Sequence, residues 1–103
     1  MKQLSFESSG QILFTTPFVV IDCETTGVSS DTDAITEIAA IAICSGEQIG
    51  TFHSLVDPER KLSDHIIRLT SITNEDLIGA PKIAQVLPSL LEFIGDKIII
   101  GHN

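Results

Sequence analysis

Phe18-Val19-Val20-Ile21 is an unbroken apolar, β-branched run that ends in an acid, Asp22. That pattern predicts a central strand over Phe18 to Asp22, covered on both faces. Thr25 to Asp33 is rich in Thr, Gly, Ser and Asp, and reads as a connecting loop in which Gly27 is free to take a positive φ. Ala34 to Cys44 (AITEIAAIAIC) satisfies helical spacing and strand alternation alike, so its flanks decide. Ser45-Gly46-Glu47 is a turn signal, Gln48 to Val56 alternates, and Asp57-Pro58 stops the run. The prediction is a three-stranded antiparallel meander.

Beyond Pro58 the signals turn helical. Ser63 is a candidate N-cap for a helix through Thr70, and Thr73-x-x-Asp76 resembles a capping box for a further turn. After Gly79-Ala80-Pro81, residues Ile83, Val86, Leu87, Leu90, Leu91 and Ile94 recur at helical spacing and predict one buried stripe. Pro88 falls inside it and is expected to kink the helix or to start its second half, and Gly95 should end it as C′. Lys97 to Gly101 is a last apolar strand, reached by a helical crossover and so parallel to one of the others. Residues 1–16 are polar and weakly patterned, a lead-in to one domain over 17–103. The order β-β-β-α-β makes this a mixed-sheet α/β domain.

A chain of 103 residues holds one small core and excludes two domains. With 43% hydrophobic and 19% charged residues it is an ordinary globular composition. Its apolar runs are far shorter than the roughly 20 residues of a membrane span, and no signal-like h-region opens the chain, so the expected location is cytoplasmic. The net charge of −8 repels nucleic acid on average, so any nucleic-acid role needs bound cations or basic surface elsewhere. Cys23 and Cys44 have neither metal nor redox spacing and are expected as buried free thiols. In a hairpin that pairs Cys23 near Glu37, Cys44 lies over ~20 Å away, beyond the ~7 Å Cα limit for a disulfide.

Asp22 and Glu24 carry the main chemical signal. Residues i and i+2 of a strand share a face, so the two carboxylates converge while Cys23 points the other way. Two hard oxygen donors at a strand end suit Mg²⁺ or Mn²⁺, and a cation relieves their mutual repulsion. His53 and His65 have no ligand-spaced partner, and Asp31, Asp33 and Asp57 lie in turn sequence where Asp makes local hydrogen bonds. Ile66, Ile67 and Leu69 have the spacing of core residues, with a wedge against a terminal base as the other reading.

The block Phe18 to Gly27, FVVIDCETTG, followed by the meander, the helices and Lys97 to Asn103, KIIIGHN, resembles the DEDD superfamily of 3′-to-5′ exonucleases. Within it the resemblance is nearest to the epsilon proofreading-subunit group of bacterial DNA polymerase III. Ile21, Asp22, Glu24, Thr25, Thr26 and Gly27 match the first exonuclease motif. Ile66-Ile67-Arg68-Leu69-Thr70-Ser71-Ile72-Thr73 matches a second region more loosely, and Gly101-His102-Asn103 resembles the opening of the second motif. The aspartate that completes that motif and the whole third motif, with its histidine, do not occur in the sequence. The resemblance covers Phe18 to Asn103, the first part of a family domain, and implies a ribonuclease H-like fold truncated after its fourth strand.

It further implies that Asp22 and Glu24 are catalytic metal ligands, for two Mg²⁺ or Mn²⁺ ions in the complete domain, and that Thr25, Thr26 and Gly27 bind the terminal nucleotide. The implied substrate is a single-stranded 3′ end of DNA, the implied task proofreading, and the implied partner a DNA polymerase catalytic subunit. His102 falls just before a metal ligand of the motif and is expected to be structural. A chain with only the first motif should be inactive alone, and a non-catalytic remnant that binds metal, nucleic acid or a polymerase is the rival reading.

Overall fold

Pairing with partners on both sides makes β1 the spine of the molecule. The computed structural model of the chain describes residues 15–27 and 33–102, so most of the expected lead-in, and Asp31, fall outside the described residues. The sheet is formed by β1 (Phe18–Thr25), β2 (Ile35–Cys44), β3 (Glu47–Leu55) and β4 (Ile98–His102), in the order β3-β2-β1-β4. β1 and β2 are antiparallel, as are β2 and β3, while β4 lies parallel to β1 from Phe18↔Ile98 to Asp22↔His102. The meander and the parallel fourth strand are those expected. β1 runs past Asp22 to Thr25, because the ladder with β2 continues through Cys23↔Ile38 and Glu24↔Glu37 before a bulge shifts the register.

The hairpin between β2 and β3 closes through Ser45 and Gly46, both at positive φ (53° and 76°), as a mirror-image two-residue turn requires. Between β3 and β4 lie α1 (Asp64–Thr70) and α2 (Ile83–Ile94). Ser63 caps α1 by accepting the Ile66 N–H. Thr73 and Asp76 exchange the reciprocal bonds of a capping box, Thr73 N–H to Asp76 Oδ2 at 2.9 Å and Asp76 N–H to Thr73 Oγ1 at 3.1 Å, but the segment they open stays a turn. α2 continues through Pro88 as one element, where a second start was the alternative, and ends at Gly95, whose φ is 53°.

The core lies on one face of the sheet. Val19 of β1, Ile38, Ala40 and Ala42 of β2 and Phe52 of β3 pack against Val86, Leu90 and Ile94 of α2. Phe93 reaches over β3, 3.3 Å from where a Cβ on Gly50 would stand, so any side chain there would press into its ring. The stripe of α2 is therefore narrower than its spacing suggested. Ile83, Leu87 and Leu91 are exposed, Leu91 by 63%, because the sheet meets only the i, i+4, i+8 line and the flank that carries Phe93. A second small core joins Leu62, Ile66, Ile72 and Leu77 under α1, with Ile67 against it and Leu69 left outside.

The opposite face of the sheet carries Phe18, Val20, Ile41, Ile98 and Ile100 with no helix over it among the described residues. On β1 itself Phe18 and Val20 of this face are half-buried. The all-apolar run suits a strand with two covers, and α2 is the one on the Val19 face.

Candidate functional site

Alternation along β1 sends Val19, Ile21 and Cys23 into the core and leaves Asp22 and Glu24 together on the other face. Asp22 is exposed and Glu24 half-buried. The two acids sit where the apolar run gives way to the Thr25-Thr26-Gly27 turn, so β-pairing fixes their backbone and solvent reaches their oxygens.

β2 and β3 extend this face. Glu37 stands directly across from Glu24, a like-charge pair of the kind that destabilises a ladder when nothing intervenes. His53 of β3 answers it with Nε2 at 2.6 Å from Glu37 Oε2. Asp22, Glu24, Glu37 and His53 thus share one polar end of a face that is otherwise apolar, with the His102 backbone beside Asp22. The sequence did not reveal the Glu37–His53 pair, and His53 read as a surface or structural residue. The signal was the strand phase, since Glu37 and Glu24 are both out of step with their neighbouring core residues.

The turn after Glu24 is bonded to itself. Thr25 donates its hydroxyl hydrogen to the Gly27 carbonyl. Thr26 donates from Oγ1 to Asp33 Oδ1 at 2.9 Å and accepts the Ala34 N–H at 3.0 Å. Gly27 is not among the residues at positive φ. Its lack of a side chain matters for a different reason, because a Cβ there would lie 2.5–2.8 Å from the Asp33 carboxylate atoms. Asp57 makes the local turn bond expected of it, Oδ1 accepting the Glu59 N–H at 2.8 Å, whereas Asp33 bonds across the loop to Thr26.

As donors for a divalent cation, Asp22 and Glu24 fit in kind, being hard carboxylate oxygens, and fall short in number. Among the described residues no group of three or more His, Cys, Asp and Glu could hold a metal ion.

Cys23 reports the charge of the pair from the other face. Burial pushes its thiol up first, and the Asp22 and Glu24 charges push it further. A folded pKa above the unfolded one means that whatever stability Cys23 contributes is present below its unfolded pKa and lost as pH rises through its folded pKa. Both cysteines are free and half-buried, not fully buried as the sequence suggested. Iodoacetamide at mildly alkaline pH should therefore modify Cys44, which ends β2 away from the Asp22 and Glu24 charges, before Cys23. Peptide mass spectrometry that found Cys23 modified first, or a Cys23–Cys44 disulfide under non-reducing conditions, would contradict the face and register assigned here.

The sequence model of the exonuclease family RNase_T matches residues 19–103. The chain is 46% identical over 93 residues to a DNA polymerase III PolC-type of Latilactobacillus sakei subsp. sakei (strain 23K), covering 90% of this chain and 6% of that protein. Two solved structures share the fold at 28% identity. The nuclease domain of 3′hExo, a DEDDh family member bound to rAMP, aligns with a TM-score of 0.68 over 77% of this chain and 44% of its own. Exonuclease X in complex with 5′ overhanging duplex DNA aligns with a TM-score of 0.70 over 84% of this chain and 48% of its own. The chain thus spans less than half of each of these structural relatives and a small fraction of the curated one.

Proposed function

The chain belongs to the RNase_T exonuclease family, and on that premise we propose that it is the N-terminal portion of a catalytic domain that hydrolyses phosphodiester bonds from the 3′ end of DNA in proofreading. The observation that carries this reading is the placement of Asp22 and Glu24 on one face of β1, immediately before the self-bonded Thr25-Thr26-Gly27 turn. Asp22 and Glu24 hold Mg²⁺ or Mn²⁺, for which the rest of a family domain supplies the missing ligands. A bound cation supplies Lewis-acid polarisation of the phosphate and a more acidic water.

The chain's own residues do the rest. The ladder between Glu24 and Glu37 fixes the height of the Glu24 carboxylate above the sheet. The Thr25-Thr26-Gly27 turn seats the terminal nucleotide of a single-stranded 3′ end beside the two acids. His53 withholds the Glu37 carboxylate by hydrogen bonding, so that the charge aimed at the cation comes from Asp22 and Glu24. The PolC-type name of the relatives supports a DNA polymerase catalytic subunit as partner.

Calorimetric titration of the chain with Mn²⁺ tests the assignment. Binding should be weak, and Asp22→Ala or Glu24→Ala should lower the affinity at least about tenfold, since even losing a residue that merely orients a ligand typically costs roughly 10- to 100-fold. An Asp22→Ala chain that binds Mn²⁺ as the unmodified chain does would remove the site.

A further inference from the structure

At the end of β1 the backbone leaves the sheet and is tied back to the start of β2 through the backbone and the side chain of Thr26. Thr26 N–H donates to the Ala34 carbonyl at 2.8 Å, Ala34 N–H donates to Thr26 Oγ1 at 3.0 Å, and the Thr26 hydroxyl donates to Asp33 Oδ1 at 2.9 Å. These bonds use the Thr26 amide, its hydroxyl hydrogen and one of its hydroxyl lone pairs. The Thr25 hydroxyl hydrogen is used as well, on the Gly27 carbonyl. Neither threonine therefore keeps a hydroxyl proton for a ligand's phosphate or sugar oxygen. Gly27 completes the arrangement, because its bare Cα is what lets the Asp33 carboxylate come in close.

We infer that Thr26 and Asp33 are positioning residues. Their hydrogen bond latches the two ends of the β1–β2 connection and holds the Thr25–Gly27 turn in the shape that receives a terminal nucleotide, so Thr26 acts through Asp33 and not by touching the nucleotide with its hydroxyl. This rests on the reading of the end of β1 as the seat of a 3′-terminal nucleotide. Threonine supplies what a latch needs here and serine or valine supplies in part: a donor, an acceptor and a β-branch that stiffens χ1 in an extended backbone.

The probe is AMP in the presence of Mn²⁺, titrated calorimetrically into the full chain. Asp33→Ala should lower the AMP affinity about tenfold, the order expected when one hydrogen bond is removed and its partner left behind, and Thr26→Val, which also deprives the Ala34 N–H of its acceptor, should lower it at least as much. The double variant should lose no more than Thr26→Val alone, because that substitution already removes the bond that Asp33→Ala removes. Thr26→Ser and Asp33→Asn keep a donor and an acceptor in place and should recover most of the affinity. Gly27→Ala, which thrusts a Cβ into the Asp33 carboxylate, should lose it with both latch residues left in the sequence, and it carries the test should Asp33→Ala fail to fold.

An Asp33→Ala chain that binds AMP normally while Thr26→Val does not would overturn the inference, since the hydroxyl would then be meeting the nucleotide itself. Multiplying losses in the double variant would do the same, as would a chain that takes up Mn²⁺ through Asp22 but no AMP. Failure of the underlying reading looks different: Mn²⁺ binding would then be indifferent to Asp22→Ala, whatever Asp33 does.

Discussion

The 103-residue chain is expected to leave a 3′-labelled DNA oligonucleotide intact in Mn²⁺, while a chain carried on through the second and third exonuclease motifs degrades it from the 3′ end. In-line attack on a phosphodiester needs a positioned water, a group to take its proton and fixed cations. Within the described residues only Asp22 and Glu24 converge, and no third ligand joins them. A missing general base alone costs roughly 10²–10⁴-fold, and incomplete coordination adds to that through lost geometry. Rates at least ~10²-fold below those of the extended chain follow. In the extended chain Asp22→Ala should bring activity down to the level of the short one. Cleavage by the short chain that disappears in Asp22→Ala would mean that the residues present suffice. An extended chain that binds Mn²⁺ and still does not cleave would favour a non-catalytic binding module.

The parts of this molecule that sequence made legible are those in which local pattern and tertiary demand agree. β1 reads as a strand because its residues are β-branched and apolar, and the convergence of Asp22 and Glu24 follows from the two-residue repeat alone. Ser63 and Gly95 behave as cap residues because capping is settled by the backbone around them. Thr73 and Asp76 make their capping box for the same reason, yet no helix follows, because a cap satisfies groups at a helix start without supplying the apolar face that would dock one.

What stayed hidden depends on partners distant in sequence. Glu37 faces Glu24 only because the loop and the bulge near Thr25 set the register, and the His53–Glu37 bond needs a second register on top of the first. Gly27 read as a residue free to take a positive φ, whereas its role is to admit Asp33, six residues on and across the loop. The spacing of α2 could show that an apolar stripe exists but not how much of it a four-stranded sheet would cover. Leu69 looked like core by the same spacing and is outside the core under α1, since a short helix buries one line of residues and Ile66 takes it. Glu24's neighbours therefore show the general limit: one strand's chemistry is local, and the chemistry of a face is not.

The two faces of the sheet should differ sharply in what a truncation costs. Ile38 is 1% exposed, sits across from Cys23 in the middle of the sheet, and belongs to the cluster that meets α2. Ile38→Ala removes a side chain whose surroundings, Val19, Ala40 and the α2 stripe, have little freedom to collapse into the space, so a loss of about 2–5 kcal/mol is expected. A domain of this size has a total stability of roughly 5–15 kcal/mol, so the variant should lose a large share of it and unfold at a clearly lower urea concentration. Ile41, on the opposite face and 40% exposed, should cost less than ~1.5 kcal/mol by the same substitution, because much of its surface is already in water. Urea denaturation followed by far-UV circular dichroism measures both at one dilute protein concentration. Equal losses would show that the Ile41 face is covered in solution. Ile41 shares that face with Phe18, Val20, Ile98 and Ile100, and β4 is the edge strand beyond β1 among the described residues, so a second copy of the chain is the cover to test for. Sedimentation velocity separates the cases: a monomer keeps the asymmetry between Ile38 and Ile41, and an oligomer whose Ile41→Ala variant dissociates abolishes it.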